Sequence, residues 1–241
     1  MPAIGFNCNG QKLDFTTCLA QEYHLEGNCI LPYPLLALVA EHNQGSHAIY
    51  SVTTCLYCLR KAYFSSYVNY YLDAGQSLQA TYGTCLHKAI EDCSLNRWEK
   101  EIRVKLPLDK FEISGIIDAM LELEGGGRAV VDFKFPAEPK REEYLDDYVK
   151  QIQMYSYMAR ESGYDVRKAY LLIMPTSHKL NQIQQYEISL EEEELQETYE
   201  YIKERAELLY RAYEQQQPPP YYERDCKFCR EEIKSVCQQY R

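Results

Sequence analysis

Apolar and polar positions along the chain change period twice. From Ser51 to Tyr71 they recur at helical spacing, and a second helical stretch runs from about Ser77 to Asn96 with Gly83 inside it. At Glu101 the period becomes two, and Glu101-Ile-Arg-Val-Lys-Leu alternates as a half-buried strand does. Phe111 to Glu124 reads as a further strand, or as a pair kinked at Gly115. The run Gly125-Gly126-Gly127 then closes a hairpin onto the β-rich segment Arg128 to Phe135. Helical spacing returns from about Glu142 to Ser162. Lys168 to Met174 and Gln182 to Ile188 read as strands, and Glu191 to Gln217 as a long polar helix stopped by Pro218-Pro219-Pro220. Residues 1–48 read as an irregular lead with turn signals at Asn9-Gly10 and Gly27-Asn28 and a short apolar helix near Pro34 to Glu41. The order predicts an α/β sheet core over 49–217 between two cysteine-containing ends, 1–48 and 218–241.

Composition narrows the class. With 46% hydrophobic and 26% charged residues in 241 positions, the chain can bury a core and is not a disordered segment. The longest apolar stretch near the start, Ile30 to Ala40, contains two prolines and falls short of the roughly 20 residues of a membrane span. No Lys/Arg-flanked signal segment precedes it, so a soluble, cytoplasmic protein with no membrane partner is expected. A net charge of −10 argues against indiscriminate coating of nucleic acid, but not against an enzyme with a local basic path.

The ten cysteines cluster at the ends, and none falls between residues 94 and 225. A disulfide framework would not leave that much chain unstapled, so metal ligation is the better reading of the outer clusters.

Chemistry concentrates in the middle. Asp118 ends the run Gly115-Ile-Ile-Asp118, and Asp132-Phe-Lys134 follows on the strand after the glycine hairpin. Residues two apart share a strand face, so Asp132 and Lys134 point together and the hairpin brings Asp118 alongside. Two carboxylates beside a lysine suit an oxygen-ligated divalent cation. On an exposed strand the same residues would be a solvated ion pair worth little. The flanks Val130, Val131, Phe133 and Phe135 are apolar, however, and buried charges must be paired or metal-bound. Upstream, Gly83-Thr-Cys-Leu-His87 sets a histidine on the second helix; downstream, Gln151-x-x-x-Tyr155 sets two polar groups on one helix face.

G-x-x-x-H, G-x-x-D, D-x-K and Q-x-x-x-Y in this succession resemble the RecB-type branch of the PD-(D/E)XK nucleases. The resemblance implies a restriction-endonuclease-like core, a central mixed sheet flanked by helices. It implies that His87, Asp118 and Asp132, with the Phe133 carbonyl, ligate Mg²⁺ or Mn²⁺. Lys134 would orient the attacking water, and Gln151 and Tyr155 would hold the site. Glu101 falls where some members carry an auxiliary acid.

Cys226-x-x-Cys229 and Cys237 give three tail thiolates, and Cys58 sits where iron–sulfur members of the family carry a lone N-terminal ligand. This arrangement is similar to the CRISPR-associated RecB-like exonucleases and to the AddB nuclease domain. It implies a 4Fe–4S cluster in a lobe that pins the tail to the 51–72 helix. Seven residues separate Cys229 from Cys237 where the family has five, and zinc is the competing metal. Cys8, Cys18 and Cys29 lie outside the pattern, with a zinc knuckle including Cys55 as one alternative. Cys85 and Cys93 are expected as buried small hydrophobes.

Arg60, Lys61 and Tyr63 combine cation and aromatic ring as a single-strand groove does. Tyrosines at that spacing also fill half-buried helix faces. The expected activity is metal-dependent DNA exonuclease action on single-stranded ends, in CRISPR spacer acquisition beside an integrase. The alternatives are a phage or repair nuclease, or a catalytically silent DNA- or partner-binding module.

Overall fold

A computed structural model describes residues 3–8, 10–20, 33–43, 48–94, 96–138, 145–176, 182–221 and 229–240. The elements in chain order begin with β1 (Ala3–Cys8), β2 (Gln11–Asp14), α1 (Phe15–Cys18), α2 (Tyr33–Asn43), α3 (Val52–Leu56), α4 (Leu59–Ser65), β3 (Tyr70–Asp73) and α5 (Ala74–Asp92). They continue with β4 (Trp98–Pro107), β5 (Glu112–Glu122), β6 (Arg128–Lys134), α6 (Asp146–Glu161), β7 (Val166–Ile173), β8 (Gln184–Glu187), α7 (Glu192–Gln215) and α8 (Glu231–Gln238). Among the described residues no helix is long and apolar enough to cross a membrane.

The chain divides into two compact units, one of residues 1–47, 58–82 and 212–241, the other of 48–57 and 83–211. These limits differ from the divisions at 48/49 and 217/218 expected from sequence, because long-range pairing rather than composition sets them.

In the first unit β1 lies between β2, antiparallel, and β3, parallel. The lead is therefore ordered where it is described: Phe6, Leu36, Val39 and Leu72 make a small core. Gly5 is required there, since a Cβ would fall 2.0 Å from the Leu13 carbonyl oxygen. Gly10 turns the hairpin at φ +91°, where its N–H is accepted by the Asn7 side chain. The helix expected over 51–71 is broken. Ser51 caps α3, and Cys58 caps α4 through a 3.4 Å contact from the Lys61 N–H to its Sγ. The chain after Ser65 then becomes β3, paired to β1.

The second unit is an α/β layer built on a mixed sheet ordered β4-β5-β6-β7-β8, antiparallel except for β6 and β7. A parallel neighbour needs a crossover, and α6 supplies it. Phe111–Glu124 is realised as one strand, β5, without a break at Gly115. Gly126 and Gly127, at φ +80° and +77°, turn β5 into β6. Ile117, Met120, Val130, Ile152, Met158, Leu171 and Ile202 fill the main core, and each such buried side chain contributes about 1.5–3 kcal/mol. Period two fails within β4 and β5. Trp98 packs with Ala119 and Phe133, whereas Ile102 and Val104 pack with Ile117 and Met120. Strands β4 and β5 thus change the face they present near Glu101, which is left-handed at φ +53°.

Candidate active site

The sheet positions the acids at that change of face. Pairing of Ala119 with Val131 carries Asp118 opposite Asp132, and pairing of Lys100 with Ala119 and Ile102 with Ile117 carries Glu101 opposite Asp118. The β5–β6 ladder stops at Ala119, and the Asp118 carboxylate (Oδ2) accepts the Phe133 N–H at 2.8 Å instead. Asp132 is 1% exposed, and its Oδ2 lies 2.7 Å from Lys134 Nζ. Helix α5 brings His87 Nδ1 to 3.6 Å from Asp118 Oδ2, its ring edge-on to Phe135.

Burial and then the neighbouring Asp132 push the Asp118 carboxyl up to about 7; Lys134 and the Phe133 N–H offset part of this. Burial works against the Lys134 ammonium, but Asp132 and Asp118 hold it protonated above the usual lysine range. Burial, and next Lys134, lower His87, which is therefore neutral at pH 7 with a lone pair to offer. Glu101 is raised, first by burial and then by Glu91. Among the described residues no three His, Cys, Asp or Glu side chains stand as a ready-made metal cage. The Lys134 ammonium and the Phe133 N–H take the carboxylate lone pairs that a cation would use.

Helix α6 supports the site from one face. Gln151 Nε2 donates to the Tyr155 hydroxyl at 2.9 Å and to Thr53 Oγ1 on α3 at 3.4 Å. The Tyr155 ring presses on Gly115, where a Cβ would fall 2.6 Å from Cε1. That approach is the reason for glycine in the G-x-x-D run. Two tyrosines not singled out from the sequence also adjoin the site: Lys134 Nζ lies 5.3 Å from the centre of the Tyr148 ring, and burial pushes the Tyr57 hydroxyl up to about 12. Tyr148 is three residues before Gln151 and was findable by helical spacing; nothing local marks Tyr57.

The structure gives the sequence-nominated DNA grip another occupation. Arg60 is buried and donates to the carbonyls of Pro219 (2.6 Å), Cys237 (3.3 Å) and Tyr240 (3.1 Å), tying α4 to the tail and α8. Tyr63 is 6% exposed and packs against Tyr213 and Phe64. Lys61 is lowered by burial, next by Arg230, against the raising influence of Cys229 and Cys58. Arg60 and Tyr63 are thus built into the first unit and unavailable to a strand of DNA. Cys237 is buried, with Sγ 3.7 Å from Arg60 Nη1. Cys226 and Cys29 lie outside the described residues.

Cys85 and Cys93 are exposed on or just past α5, not buried as expected, because His87 and Ile90 take the inward positions. Burial pushes the Cys55 thiol up to about 12, the setting of a small buried hydrophobe.

The sequence profile of the PD-(D/E)XK nuclease superfamily matches residues 92–238, which takes in Asp118, Asp132, Lys134, Gln151 and Tyr155 and begins just after His87. No curated protein matches the chain in sequence. In fold it is similar to the crystal structure of SSO0001, at 20% identity over 84% of this chain and 92% of that one, with a TM-score of 0.55. The crystal structure of a protein from Eubacterium rectale described as a candidate exonuclease aligns at 14% identity over 91% of this chain and 79% of that one, with a TM-score of 0.40. With the acids and lysine of the D-x-K strand inside a match that spans more than half its length, the chain belongs to the PD-(D/E)XK nuclease superfamily.

Proposed function

We propose that the protein is a divalent-metal-dependent DNA exonuclease acting on single-stranded ends. One observation carries the reading: the part-buried Asp118 and the buried Asp132 stand opposite each other, and burial followed by the neighbouring Asp132 raises Asp118 to about 7, with a lysine on one side and a neutral imidazole on the other. Two acids there face a single ammonium, and Asp132 Oδ2 takes no hydrogen bond beyond its ion pair. Its O, O, N donors fit Mg²⁺ or Mn²⁺. His87, Asp118, Asp132 and the Phe133 carbonyl would hold the ion, and the nitrogen donor favours Mn²⁺. When bound, the ion supplies an activated water and charge compensation at the phosphoryl oxygens. Lys134 would orient that water and offset phosphate charge, while Gln151 and Tyr155 hold the strands and α6 in register.

Cys58, Cys226, Cys229 and Cys237 would hold a 4Fe–4S cluster. In support, Cys58 and Cys229 both act on Lys61, and Cys237 adjoins Arg60, so cations stand ready to stabilise thiolates. The setting that the sequence resemblance favours is CRISPR spacer acquisition, with an integrase as partner and phage or repair work as the alternative.

End-labelled and circular single strands, offered with Mn²⁺ or Mg²⁺, test the activity. Linear strands should be shortened from an end, faster with Mn²⁺, and circles left intact. Asp132→Asn and Lys134→Ala should abolish the shortening. Wild-type protein that leaves every strand uncut would make it a binding module. Iron with acid-labile sulfide and a brown absorption band should accompany purified protein. A colourless anaerobic preparation carrying one zinc would replace the cluster by that metal.

A further inference from the structure

Two tyrosines at the site have no task in the chemistry just described. Thr53 on α3 and Tyr57 at its C-cap stand four residues apart, and Tyr148, Gln151 and Tyr155 recur at i, i+3 and i+7 on α6. The bond from Gln151 to Thr53 fixes the two helices in register. Tyr57 and Tyr148 flank that bond on the two helices, and the Tyr148 phenol lies near enough to act on that of Tyr57. Lys134 Nζ lies 5.3 Å from the Tyr148 ring centre, and both phenols feel the charges of Lys134 and Asp132.

Tyr57 is 44% exposed although its backbone is held hard. Buried Arg205 donates to the carbonyls of both Cys55 and Tyr57. An exposed aromatic ring on an immobilised backbone loses little freedom when another ring is laid on it.

We propose that Tyr57 and Tyr148 form a stacking subsite for the unpaired nucleobase adjoining the phosphate that Lys134 and the two acids address. A base can enter such a subsite only after leaving its duplex, so the pair selects single-stranded or frayed ends over paired ones. The subsite rests on the nuclease reading for its orientation towards the phosphate.

Kinetics on end-labelled oligonucleotides provide the test. Tyr57→Leu and Tyr148→Leu should each raise KM for single strands roughly fivefold to a hundredfold, the range for loss of one stacked base, with the loss falling on KM rather than kcat. Tyr57→Phe and Tyr148→Phe, which keep the ring, should recover most of that affinity. An abasic site at the end nucleotide should cost wild-type enzyme the same factor and cost the leucine variants nothing further. Equal KM for abasic and intact strands on an active wild type would overturn the subsite, whatever happens to the folding of a variant.

A second measurement separates this idea from the nuclease reading. A terminal 2-aminopurine, bound with Ca²⁺ so that nothing is cut, should be quenched by wild type and not by the leucine variants. If no strand is ever cleaved, the activity falls while quenching still supports the subsite; absence of quenching sinks the subsite alone.

Discussion

Replacing Gly115 by alanine puts a methyl group where the Tyr155 ring now sits. The added Cβ would lie 2.6 Å from Cε1 and 3.0 Å from Cδ1, so the ring must withdraw by about 1 Å to regain ordinary contact. Tyr155 is 4% exposed and enclosed by the main core, which leaves it nowhere to go without displacing neighbours. Overpacking of this kind costs about 1–3 kcal/mol, and weakening the Gln151 hydrogen bond about 1 more. For a chain of this length, a loss of roughly 2–4 kcal/mol lowers Tm by about 5–15 °C. Thermal and urea unfolding followed by circular dichroism would read it. Nuclease activity should fall as well, because Tyr155 lies within the influence of Asp132 and Lys134. A double-mutant cycle with Tyr155→Leu isolates the clash: the smaller side chain should return at least about 1 kcal/mol of the alanine penalty. Stability of Gly115→Ala within about 0.5 kcal/mol of wild type, or strict additivity in the cycle, would refute the close-approach argument.

Asp118 sets a pH dependence. Its folded value, about 7, lies above the ordinary 3.8, so its contribution to metal-free stability is full below pH 4 and is lost as pH rises through 7. Relative to wild type, Asp118→Asn should gain stability between pH 5 and 8, by at most about 4 kcal/mol, and a flat difference curve would contradict the crowding. Added Mn²⁺ competes with the proton and should stabilise wild type more at pH 8 than at pH 5.5. In the first unit, Arg60→Met orphans three carbonyls and should cost about 3 kcal/mol. Hydrogen exchange should then quicken over residues 229–240 and not over β4–β6; uniform protection would discount the anchoring role.

The D-x-K strand and its hairpin were legible because period two, apolar flanks and three glycines are local signals, and the structure pairs Asp132 with Lys134 on one face. The change of face at Glu101 was not, since a left-handed glutamate leaves no mark in the pattern. The break at Tyr57 was hidden because what fixes it is Arg205, far along the chain, bonded to two backbone carbonyls. The lead read as irregular because β1, beside its neighbour β2, pairs with β3, more than sixty residues downstream. Arg60 and Tyr63 misled for a related reason: a cation beside an aromatic ring describes a DNA groove and a buried helix anchor equally well.

The chain passes between its two compact units at 47/48, 57/58, 82/83 and 211/212. On a ribosome, the stretch 83–211 is complete while residues 212–241, which finish the other unit, are still unmade. The bonds from Arg60 to Pro219, Cys237 and Tyr240 must therefore wait until those residues have emerged. Deletion of the tail should leave Arg60 without these acceptors and α4 open to proteases, and a cut at 48/49 would part Leu36 and Val39 from Leu72.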